Sequence, residues 1–238
     1  MRFIVFLSLQ RVAIGSLEHI IPIFTAFLFS ILLIKFAKNT SKEKLKLRVF
    51  NGLAIFVSLF VLSFHLYQIC FKSYDFKTDL PLYLCSLIAL LIPVFSFYRK
   101  YWMFEILVFW IIAGTLQGVI TPDIAIGFPS FDYFRYWIVH LGLLSIIHYA
   151  IFVFEMKPRF QSIFKSFFAL QLYVVFMVII NFLLNANYFY LNKKPESASL
   201  LDYFGEWPYY IIISQLIIIP LFFIVYLGFY LSSYRKQI

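Results

Sequence analysis

The sequence predicts an all-α membrane protein, a single domain over 1–238 built as a bundle of seven transmembrane helices. The N-terminus lies outside and the C-terminus in the cytoplasm. Three observations predict this. Only 13% of the residues are charged and the mean hydropathy is +0.90, whereas a soluble domain carries roughly 25% charged residues. Seven continuous apolar runs, each long enough for a helix to cross the hydrocarbon core, follow one another. The lysines and arginines also fall unevenly on the connections between those runs.

The elements follow in order. The opening stretch "MRFIVFLSLQRVAIG" has an apolar core of Phe3 to Leu9 only, too short to span, with no small-x-small cleavage site after it. It reads as an interfacial segment with Arg2 and Arg11 facing headgroups. The seven runs are residues 19–37, 50–71, 80–98, 101–120, 133–154, 163–185 and 208–231. They are continuous rather than alternating, which excludes a β-barrel, and only helices or closed barrels satisfy their own backbone in lipid. The third run is predicted to start with Asp79 at the headgroups and Pro81 in its first turn, and only "RK" separates it from the fourth. No internal repeat or low-complexity linker divides the chain.

The basic residues orient the bundle. Lys35, Lys38, Lys42, Lys44, Lys46 and Arg48 crowd the first connection. Arg99 and Lys100 occupy the third, Lys157, Arg159 and Lys165 the fifth, and Arg235 and Lys236 the tail. These are thirteen of the twenty Lys and Arg, and they share one face. The other face carries seven basic residues and eight of the eleven acids. The positive-inside rule places the thirteen in the cytoplasm, and seven spans give the parity this requires. The net charge of +9 is therefore orientation, not a nucleic-acid footprint.

Polar residues inside the spans gather toward the outer face. His65 and Gln68 share one side of the second run, Cys85 lies near the start of the third, and Gln117 near the end of the fourth. His140 is about two turns into the fifth, Asn181 is near the end of the sixth, and Trp207 precedes the seventh. Such groups in lipid either glue helices together or line a cavity. Their shared depth points to an outward-facing polar pocket. Glu105, deeper and toward the cytoplasm, reads as the partner of Arg99 or Lys100. Two outer loops, "TPDIAIGFPSFDYF" and "NYFYLNKKPESASLLDYFGEWPYY", mix aromatics with prolines and charges. They suit an interfacial belt or a cover over the pocket mouth.

Cys85 is open to three readings: a small packing residue, a half of a disulfide with Cys70, or a nucleophile. A nucleophilic thiol needs a base, and His65 and His140 are the candidates; Gln117, Tyr83 and Asn181 could donate to an oxyanion. No metal site with structural-zinc spacing, no phosphate-binding glycine loop and no nucleophile elbow is present, and no cofactor is implied. A proton-coupled or small-molecule transporter, or a membrane sensor, would use the same pocket.

The blocks "LPLYLC", "TPDIAIGFPSFDYFRYWIVHLG" and "NYFYLNKKPESASLLDYFGEWPYY" resemble those of the YwaF-like bacterial integral membrane proteins, grouped with eukaryotic transmembrane protein 164. That resemblance implies a multi-pass protein of the bacterial cell membrane whose partners are membrane lipids. Through the eukaryotic branch it implies acyl transfer to phospholipids by a cysteine and a histidine within the membrane, which correspond to Cys85 and His140; it assigns the bacterial branch no role, and lipase action is the other expectation for the same pair. Tyr83 stands where the bacterial blocks carry a histidine, so that residue's role is absent or altered. Oligomeric state is not readable.

Overall fold

The structure is a computed structural model and describes residues 11–234. Seven main helices order it: α1 (Leu17–Asn39), α2 (Glu43–Phe71), α3 (Leu84–Tyr98), α4 (Tyr101–Ile120), α5 (Phe131–Phe152), α6 (Phe160–Leu184) and α7 (Tyr209–Tyr234). No strand occurs among the described residues. Six of the helices are long and apolar enough to cross a membrane; α3, at 15 residues, is shorter. Large apolar side chains point outward along their lengths, among them Phe182 at 86% exposure and Leu172 at 74%. Surfaces of that kind suit lipid rather than water.

Several boundaries differ from the expectation. α2 begins at Glu43, so the whole of the basic run 44–48 is helical and the link after α1 is only residues 40–42. Leu, Lys and Arg are good helix formers, and Lys46 pairs with Glu43 at 2.5 Å one turn back. α3 begins at Leu84, not at residue 80, so Pro81 precedes the helix and Cys85 occupies its first turn. Of the predicted interfacial segment, Arg2 and 3–9 lie outside the described residues, as do Arg235 and Lys236 of the tail. Arg11 is described and is partly exposed. It binds Asp123 at 2.6 Å and Glu196 at 2.5 Å, two carboxylates that satisfy it within the protein.

The helix α5 is the centre of the bundle. α1, α2, α3 and α4 all pack against it, while α6 joins through α4 and carries α7 outermost. Its buried residues include Leu143, Ile146, Ile147 and Tyr149. Gly142 permits the closest approach: a Cβ there would lie 2.5 Å from Val57 Cγ2 on α2. Toward the end that carries the α3–α4 turn, Phe50, Phe95, Tyr149 and Phe154 stack and abut one another. There too Glu105, 1% exposed, accepts from Ser162 Oγ and Lys165 Nζ, each at 2.8 Å. Its partner is therefore α6, not the expected Arg99 or Lys100, because the side chain points across the α4–α6 contact.

Candidate functional site

The segment before α3 is not helical, yet it packs against the core through Leu80, Leu82 and Tyr83. Buried backbone of that kind must find partners. Three tyrosine hydroxyls supply them. Tyr74 donates to Asp79 O at 2.9 Å, Tyr173 to Leu82 O at 2.6 Å, and Tyr188 accepts from Leu80 N at 2.9 Å while donating to Phe76 O at 2.8 Å. The entry to α3 is thus fixed by side chains from three different parts of the chain.

Cys85 follows directly. The first-turn N–H groups of a helix have no carbonyl partner within it, so negative charge is favoured at this end. Cys85 is half-buried, and its Sγ lies 3.5 Å from Thr115 Oγ1 on α4. Thr115 is fully buried and closes a π-helical stretch, Trp110–Thr115, that interrupts α4. Such widened turns recur at functional sites. Both cysteines are free among the described residues, Cys70 being exposed, so the disulfide reading is not realised.

His140 meets the same helix one turn further out. A Cβ at Gly118 would lie 2.7 Å from His140 Nε2, so only glycine leaves room for the imidazole. Residues 115 and 118 share a side of α4, which places Cys85 and His140 along one wall. The tautomer follows from its bonding. His140 Nδ1 faces Tyr136 O at 2.8 Å, and a carbonyl only accepts, so Nδ1 carries the proton and Nε2 keeps a free lone pair. The Tyr136 ring stacks on the imidazole at 4.0 Å between centroids, and its hydroxyl donates to Gly118 O at 2.7 Å.

The remaining expected residues divide. Tyr83 occupies the position just before α3 and packs against the rings of Tyr188 and Tyr190. His65 lies 3.3 Å from Tyr74 Oη through Nδ1, and its buried Nε2 has no partner among the described residues. Gln68 and Gln117 are half-buried near the C-terminal ends of α2 and α4. Asn181 uses both ends of its amide on one loop residue, accepting from Tyr188 N at 2.7 Å and donating to Tyr188 O at 2.9 Å. Trp207 is 60% exposed and donates to Leu191 O at 3.2 Å. Among the described residues no group of three or more His, Cys, Asp and Glu is placed to hold a metal.

Next to this wall sits a cap built from the two aromatic loops that follow α4 and α6. Asp123 is its hub. It takes Arg11 on Oδ1, the Tyr190 hydroxyl on Oδ2 at 3.0 Å and the Ser197 N–H on Oδ1 at 3.3 Å. Burial, and then the Asp123 carboxylate, push the Tyr190 hydroxyl far above its usual range, so it stays a donor. Arg135 lies just beneath, bound to Asp132 at 2.5 Å with its guanidinium 4.5 Å over the Phe64 ring. Thr115, Gly118, Tyr136 and Asp123 were not singled out from the sequence. Of these only Asp123 carried a signal, as an acid within an aromatic outer loop.

The profile of the TMEM164 family matches residues 14–226 of the chain. No curated protein and no solved structure matches it.

Proposed function

Because the chain belongs to the TMEM164 family, we propose that this multi-pass membrane protein is a lipid acyltransferase in which Cys85 is the nucleophile and His140 the base. The observation that carries the reading is the shared α4 wall, with Cys85 against Thr115 and His140 against Gly118, beneath an ordered cap. His140 Nε2 takes the thiol proton. The sulfur attacks the ester carbonyl of a phospholipid, forming a C–S bond. The ester C–O bond breaks, and the lysolipid oxygen leaves with the proton returned from His140. A second hydroxyl then gives its proton to His140 Nε2 and attacks the thioester, a new C–O bond forms as the C–S bond breaks, and His140 returns the proton to the Cys85 sulfur; if that acceptor is water, the outcome is lipase action. The first-turn N–H groups of α3 suit the oxyanion of each step.

The chain would cross seven times with its N-terminus outside, α3 completing its span through the side-chain-satisfied segment that precedes it. Backbone of that kind is tolerated at membrane depth where protein covers it.

The test is chemical. In proteoliposomes, Cys85→Ser is expected to abolish turnover while leaving the fold intact, since the volume change is small. His140→Ala should slow turnover by roughly 10²–10⁴-fold, and Cys70→Ser should not slow it. A lipid-derived acyl adduct on Cys85, found by mass spectrometry, is the expected intermediate. Full activity in Cys85→Ser would overturn the reading.

A further inference from the structure

The opposite side of α5 carries a groove of about 690 Å³ between α1, α2 and α5. It is separate from the Cys85 wall, because His140 turns toward α4 whereas Tyr133, Leu141 and Ser145 line the groove. Two pins hold α1 to the bundle. Near its outer end His19 donates through Nε2 to Val119 O at 2.8 Å, and its ring stacks on Trp137. At mid-helix Ser30 and Ser145 hydroxyls meet at 2.6 Å. The groove is framed between these pins, from Leu17 and Glu18 at the mouth to Phe29 and Ser145 at the bottom.

The chemistry of the groove is that of a lipid. Leu17 to Phe29 rises about 18 Å along a helix, close to one leaflet, about half of a ~30 Å hydrocarbon core. The hydroxyls inside are satisfied by their own helices: Thr25 bonds Ile21 O and Pro22 O, and Ser145 bonds Leu141 O. The wall therefore offers a ligand almost nothing polar. The mouth does the reverse. Glu18 lines it, and its carboxylate has no ion-pair partner among the described residues. A tail with a cationic head matches both ends.

We propose that the groove is a lipid site that holds one acyl chain of a zwitterionic phospholipid, with the headgroup ammonium on Glu18. The site is independent of catalysis at Cys85 and stands whether or not that cysteine reacts.

The probe is a phosphatidylethanolamine with a photoactivatable diazirine in its acyl chain. It is present in trace amount in phosphatidylglycerol liposomes that hold the full-length protein. Cross-links are mapped by mass spectrometry. They are expected at Thr25, Phe29 and Leu141 in preference to Leu172 and Phe182, which are more exposed on α6. A phosphatidylglycerol probe with the same chain should label the groove less. Glu18→Gln should lower the ethanolamine-to-glycerol labelling ratio about fivefold, the size of one hydrogen bond. Ala26→Trp fills the groove and should remove its labelling while α6 labelling persists. Groove labelling no higher than on α6, or a headgroup ratio unchanged in Glu18→Gln, would overturn the proposal.

Discussion

Gly118 decides where the His140 imidazole sits, and a single methyl there tests the geometry. In Gly118→Ala the new Cβ would lie 2.7 Å from Nε2 and 3.2 Å from the Tyr136 hydroxyl. The ring is locked by stacking and by Tyr136 O, so strain of about 1–3 kcal/mol is expected. A lowered melting temperature in detergent, together with lost turnover, is the expected outcome. Thr115→Val keeps the shape and removes the hydroxyl beside Cys85. Its turnover should fall roughly tenfold, or by about 1.4 kcal/mol of barrier, with melting nearly unchanged. Cys85 and His140 drew attention in the sequence because thiols and imidazoles are uncommon in apolar runs and because both fall in the blocks that carry the family resemblance. Thr115 was not, since a threonine in an apolar helix ordinarily bonds its own backbone, and nothing local marks the π-helical stretch that presents it. Asn181 drew attention as a polar group at membrane depth, but its amide clips the loop at Tyr188.

The helices themselves were read well and their ends less so, for one reason. Apolar length sets the middle of a span, whereas its ends depend on where backbone groups find partners. The sequence places Pro81 inside α3, and helical bonding could have begun there. The hydroxyls of Tyr74, Tyr173 and Tyr188 satisfy Asp79–Leu82 instead, and the helix starts at Leu84. Tyr188→Phe would strip partners from Phe76 O and Leu80 N together. It is expected to cost about 1–3 kcal/mol, whereas Tyr203→Phe, on an 85% exposed side chain, should be near neutral. Thermal unfolding of the two variants in the same detergent compares them directly. Tyr188→Phe should also quicken maleimide labelling of Cys85, because the segment leading into α3 loosens.

At the scale of the whole molecule, composition and charge carry the prediction. Reporter fusions after Ser41 and after Ser197 should report opposite sides of the membrane; the same side for both would refute the seven-span topology. The expected cytoplasmic side also holds the buried Glu105. Lys165→Met would leave Glu105 with Ser162 alone and is expected to cost about 1–3 kcal/mol. That is less than for a fully buried pair, because the Lys165 side chain is 54% exposed. A melting curve in detergent measures it. What the sequence could not show is the cap, whose members come from residues 11, 123, 190, 196 and 197. No local pattern joins positions so far apart.

That separation constrains biogenesis. Arg11 leaves the ribosome early, yet Glu196 and Ser197 follow it by 185 and 186 residues. The guanidinium must wait through the insertion of six helices for these two partners, so cap closure is a late event in synthesis. A nascent chain arrested after α6 would hold an open outer face, with Asp123 missing its Tyr190 and Ser197 donors. Only a chain extended past Ser197 could turn that face into a closed surface, so cap closure reports that every one of its partner residues has emerged.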